Sequence, residues 1–142
     1  MHLFTIPQWA MVAYGVGGSL YALRRGGPPQ RAVAAAVVVG IATECGAPVY
    51  WTIPDGYSLT WDTVVLAACV VCALRSDRYW TIAASSFALL EVVTDLMGFV
   101  PGVSLWAYLS ADRVWTILLV ASLLAGTWRA DRAQRPPRVV GA

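Results

Sequence analysis

Lysine is missing from this chain altogether, histidine occurs once, as His2, and cysteine three times, as Cys45, Cys69 and Cys72. One histidine excludes a haem held between two imidazoles of a single protomer, and no Cys–His zinc spacing is present. Charge is scarce as well. Of the 142 residues, 13% are charged and 58% hydrophobic, against about 25% and 45–50% in a soluble domain. A soluble fold of this size could not hide so much apolar surface. Catalytic signatures are lacking too: the sequence has no HExxH, GxSxG, P-loop or dinucleotide fingerprint. The chain therefore reads as non-enzymatic, with no cofactor expected. Gly15-Val16-Gly17-Gly18 lies inside an apolar run, where it serves helix packing and not phosphate binding. Cys69 and Cys72 fall on one helix face as small apolar residues.

What is present is arginine, in clusters. Nine of the ten basic residues sit at the ends of apolar runs: Arg24, Arg25 and Arg31; Arg75 and Arg78; and Arg129, Arg132, Arg135 and Arg138. Short basic loops beside spanning segments stay on the cytoplasmic side of a membrane. All three clusters share a side if the chain crosses five times with its N-terminus outside and its C-terminus inside. The fold class read from this pattern is all-α, an integral membrane bundle of five transmembrane helices. The spans are placed at about Gln8–Leu23, Arg31–Tyr50, Leu59–Leu74, Tyr79–Val100 and Ser104–Trp128. A transmembrane domain thus covers residues 1–128, and 129–142 form a basic cytoplasmic tail expected to be mobile. The first and third spans are short, so a four-span arrangement with one interfacial or re-entrant segment is the alternative. In Met1–Leu23 the positive charges follow the apolar stretch, unlike a signal peptide, so it reads as an uncleaved first span.

Turns and aromatic residues follow the same layout. Gly26-Gly27-Pro28-Pro29 reads as an inner turn, and Pro101-Gly102 as an outer break. Pro48 is expected to kink or end the second helix, ahead of an outer loop over Trp51–Tyr57. Trp9, Trp51, Trp61 and Trp106 fall near the outer interface and Trp80 and Trp128 near the inner one. Asp62 is read as an acid suited to a helix N-terminus.

The functional argument rests on ionisable groups inside the spans: Glu44, Glu91, Asp95, Asp112 and Arg113. At a helix centre such a group costs on the order of 2.5–3.5 kcal/mol to insert, so it marks a site by default. Glu44 lies thirteen residues from Arg31 and Glu91 thirteen from Arg78, or about 20 Å each. Asp95 is at about 26 Å and Arg113 at about 24 Å by the same count. On the fourth helix Thr81, Ala84, Ala88, Glu91, Asp95 and Gly98 form a seam of small and polar residues that is expected to face protein. An Asp95–Arg113 ion pair is expected across the last two helices. Glu44 and Glu91 have no obvious cation and are expected to keep their protons if enclosed.

The segments Ala73-Leu74-Arg75-Ser76-Asp77-Arg78-Tyr79-Trp80 and Pro101-Gly102-Val103-Ser104-Leu105-Trp106-Ala107-Tyr108 resemble those of small multi-span inner-membrane proteins of alphaproteobacteria. The resemblance covers the second half of the chain and implies a bacterial inner-membrane location. That group has no assigned activity, so no functional residue carries over from it. Its fourth helix tends to be uncharged, which makes Glu91 and Asp95 a departure.

Three functions are weighed on these readings. The first is a non-enzymatic subunit that packs within a larger membrane complex or against copies of itself, with lipid and other subunits as partners. The alternative is a small proton-coupled channel or transporter lined by the acids, and a pore-forming lysis protein ranks third. Nucleic acid is not an expected partner, because the arginines are spread over three loops without a binding motif.

Overall fold

The structure, a computed structural model, describes residues 8–46 and 56–134. Among the described residues there are five α-helices and no strand: α1 (Gln8–Arg25), α2 (Pro28–Gly46), α3 (Gly56–Arg75), α4 (Tyr79–Gly98) and α5 (Leu105–Gln134). Three of them contain segments long and apolar enough to cross a membrane, Ser58–Arg75, Tyr79–Gly98 and Leu105–Ala133. The apolar stretch of α2, Pro28–Ala42, is shorter, and α1 is not among the three. Pro48, the Trp51 loop, His2 and the tail from Arg135 onward lie outside the described residues.

Each helix packs on the next in the chain, and α1 closes the ring against α5, with α2 also touching α5. The centre is built from small side chains. Ala22, Val33, Ala34, Cys69, Ala84, Ala88 and Val120 are fully buried, whereas Leu74, Tyr79 and Trp106 are 82%, 84% and 67% exposed. A water-soluble bundle does the reverse, burying its largest apolar groups. Small residues inside let helix backbones approach, and bulky ones outside are solvated by lipid tails. The seam expected on α4 is where the periodicity placed it: Thr81, Ala84, Ala88, Glu91 and Asp95 are its buried residues. Leu89, Leu90, Val93 and Leu96, off the seam, are exposed.

Helix ends differ from the sequence expectation in several places: α3 already begins at Gly56, so Tyr57 of the expected outer loop is helical and Asp62 lies in the second turn, not at the helix start. Pro28 and Pro29 begin α2 and do not belong to the turn. A proline at the first helical position loses no hydrogen bond and arrives with its φ already helical. At the other terminus α5 continues through Arg129 to Gln134, so the first six residues of the expected mobile tail are helical. Ala130 and Asp131 on that extension are buried, and Asp131 pairs with Arg25 of α1 at 3.6 Å. Arg132 lies over the Trp128 ring, 3.7 Å from its centroid. Packing against α1 thus holds the last turns of the helix in place. Between α4 and α5, Gly102 has φ +93°, a conformation that side chains with a Cβ resist. Ser104 then accepts the Ala107 amide at 3.1 Å, which caps the start of α5.

Candidate functional site

Three carboxylic acids from three helices meet at one end of the bundle. Asp62 of α3, Asp95 of α4 and Asp112 of α5 each offer an oxygen, and these oxygens lie within 4.8 Å of one another. Each acid has a polar neighbour one helical turn away on the same face: Ser58 for Asp62, Glu91 for Asp95, and Tyr108 for Asp112. Antiparallel packing of α3 on α4 and of α4 on α5 brings these pairs to a common height. The cluster lies at the end of the bundle away from the arginine clusters.

Asp95 is the hub. It is 2% exposed, and both its oxygens accept hydroxyl donors. Tyr108 Oη donates to Oδ1 at 2.7 Å and Ser58 Oγ donates to Oδ2 at 3.4 Å. The Asp62 carboxyl lies beside that of Asp95, its oxygen within 4.8 Å. Glu91, 5% exposed, lies one turn below Asp95 on the same seam. Nearby, Trp115 Nε1 donates to Thr94 Oγ1 at 3.1 Å and ties α5 to α4 beside the cluster.

The ion pair expected between Asp95 and Arg113 does not form. Asp95 accepts from Tyr108 and Ser58, and the ion pair formed among the described residues is Arg25–Asp131. Arg113 is partly exposed and follows Asp112 in sequence, so it turns about 100° away around the helix from its neighbour. Of the other expected site residues, the structure brings Glu91, Asp95 and Asp112 to the same region. Glu44 is helical on α2, but its side chain lies outside those described. Cys69 and Cys72 are buried free thiols, in keeping with an apolar packing role, while the Cys45 side chain is not described.

Asp62 is the residue that sequence reasoning passed over. It lies thirteen residues before Arg75, the same count that singled out Glu44 and Glu91. Applied to α3, that count places Asp62 at about 20 Å from the basic end. Reading it as a helix-start acid hid the coincidence.

Three carboxylates within this distance could gather around a hard cation, which takes oxygen ligands. A proton held between two of the carboxyls relieves the same repulsion between them. No family model, curated protein or solved structure matches this chain. The resemblance to alphaproteobacterial inner-membrane proteins therefore rests on its two segments alone.

Proposed function

We propose that this chain is a five-span, non-enzymatic protein of a bacterial inner membrane that takes up and releases protons at the Asp62–Asp95–Asp112 cluster. Its N-terminus lies outside and its C-terminus inside, as the arginine clusters require. The observation that carries the reading is the gathering of three acids from three spans with no arginine in ion-pair contact with them among the described residues. Like charges this close repel in a low dielectric, and a proton bound between them relieves that repulsion. Intramembrane acids facing a bundle interior are the usual components of proton relays. Tyr108 and Ser58 hold Asp95 in place while leaving Asp62 and Asp112, both only partly buried, toward the outer end.

Reconstitution in liposomes with an imposed pH gradient tests this. The unmodified protein is expected to pass protons, and Asp62→Asn with Asp95→Asn to reduce that flux at least tenfold while leaving the fold intact. Asparagine keeps size and hydrogen bonding but removes the exchangeable acid. No flux from the unmodified protein would sink the proposal.

One observation favours a second reading, a subunit that packs in a larger complex or against its own copies. The small pair Gly15 and Ser19 faces the bundle, but Ala13 and Gly17 face out of it, and a Cβ added at Gly17 meets no atom within 4 Å. An outward small pair is suited to contact with another helix. Gly17→Leu would disrupt such assembly and spare proton flux, which separates the two readings.

A further inference from the structure

A shallow apolar groove of about 310 Å³ runs along the outside of the bundle between α3 and α4. It exists because Ala73 and Ser85 are small where the two helices meet, while Val70, Leu74, Ile82 and Leu89 form raised walls. The Ser85 hydroxyl is turned inward on the Thr81 carbonyl at 2.8 Å, so it asks nothing polar of an occupant. Leu74, Ile82 and Leu89 are more than half exposed, and no side chain among the described residues covers them. The groove is not featureless at its ends. Its basic end opens at the turn Arg75-Ser76-Asp77-Arg78, with Arg75 next to Leu74 and Arg78 one turn before Ile82. Both arginines are exposed, and neither is held in an ion pair among the described residues. Asp77 removes one unit of charge and leaves the turn net positive. Tyr79, 84% exposed, stands beside them as an interfacial aromatic.

We propose that this groove binds one anionic phospholipid, with an acyl chain along the α3–α4 walls and its phosphate between Arg75 and Arg78. An apolar slot joined to paired guanidiniums at the level of the headgroups is complementary to that molecule at both ends. The inference rests on α3 and α4 spanning the bilayer and is independent of the acid cluster and of proton transfer. A zwitterionic lipid fits the slot but brings a choline against the two guanidiniums.

The test is lipid binding to the full chain in neutral detergent, followed by native mass spectrometry and thermal melts. The probes are dioleoyl phosphatidylglycerol and dioleoyl phosphatidylcholine. Phosphatidylglycerol is expected to bind roughly tenfold more tightly and to raise the melting temperature more, at about a few-fold per arginine. Arg75→Ala with Arg78→Ala should abolish the preference, and Arg75→Lys with Arg78→Lys should keep most of it. Both positions are exposed, so neither pair of changes threatens folding. Ser85→Leu, which fills the slot, should weaken both lipids alike. Equal binding of the two lipids would overturn the proposal, as would a preference that survives the double alanine change. Unchanged binding in Ser85→Leu would reduce the site to surface charge and overturn the groove. Inorganic phosphate giving the same thermal rise as phosphatidylglycerol would overturn the lipid as occupant. A dimer cross-linked through cysteines placed at Val70 and Ile82 would assign the groove to a second copy instead. Solubility of the chain without detergent would count against the spanning reading and is scored separately from lipid choice.

Discussion

The two ends of this bundle handle charge in opposite ways. At the basic end each described charge is either exposed or given a partner: Arg25 with Asp131, Arg132 on the Trp128 ring, and Arg75 and Arg78 at the surface. At the other end three acids are drawn together, and the partners of the most buried one, Asp95, are hydroxyls. Burying like charges is unfavourable unless protons or cations arrive to neutralise them. The basic end therefore resembles an anchor, stable as built, and the acid end a site that needs something to be added. The uncompensated polar atoms at the basic end are of a milder kind. Gln30 Oε1 and Trp80 Nε1 lie buried without a partner, but both are neutral and sit against the α5 backbone near Gly126.

That contrast breaks first at Asp95. Asp95→Ala removes the acceptor for Tyr108 and Ser58, stranding buried donors. The expected loss is about 2–4 kcal/mol of unfolding free energy in detergent. Asp95→Asn keeps an acceptor for Tyr108 and should lose less than about 1 kcal/mol. Equal losses in the two variants would mean that the hydroxyls do not hold the cluster.

The basic end should be sensitive to shape where the acid end is sensitive to polarity. A Cβ placed on Gly126 would fall 2.6 Å from the Trp80 indole, a rigid ring with no room to swing. Gly126→Ala is expected to lower stability by about 1–3 kcal/mol through overpacking. In a Trp80→Ala background the same change should be near neutral, within about 0.5 kcal/mol, because the two residues are in direct contact. Simple additivity would show that α4 and α5 are not pressed together there.

How much of this was legible in sequence follows from what each signal measures. The three-and-four spacing on α4 reports one helix's face, so the buried seam from Thr81 to Asp95 could be read directly. Depth along a span is also countable, and the counts for Glu91 and Asp95 led to the right end of the bundle. Which residues meet across helices is set by rotation and tilt, and neither is written in spacing. That is why Arg113 looked like a partner for Asp95 when Tyr108, five residues earlier, holds that role. Asp131 was lost for a different reason. It was counted in a basic tail, and only the packing of α5 on α1 turns it into the partner of Arg25.

A smaller effect is expected at the connection that holds α4 and α5 together beside the acids. Gly102→Ala puts a Cβ on a residue with φ +93° and should cost about 1–2 kcal/mol, with nothing else touched, since no atom lies within 4 Å of the new carbon. The loss should appear in thermal melts without altering the proton flux of the folded protein. A loss of flux greater than the loss of folded protein would show that this turn also sets the geometry of the cluster.

The smallest effect belongs to the ion pair that closes the basic end. Arg25 is 62% exposed at its side chain and Asp131 12%, and their nearest atoms are 3.6 Å apart. An exposed guanidinium at that distance gains little, because water screens it and ordering a long side chain costs entropy. Arg25→Ala is therefore expected to change stability by less than about 1 kcal/mol, and the difference from the unmodified protein should shrink in about 1 M salt. Asp131→Ala should cost more than Arg25→Ala, since the acid is the better buried partner and has further interactions. Guanidinium chloride cannot be used for this comparison, as it is itself a screening salt, so urea melts at two salt concentrations are the measurement. If Arg25→Ala instead unfolds the last turn of α5, the pair carries the helix extension and the basic end is as dependent on a single polar contact as the acid end is on Asp95.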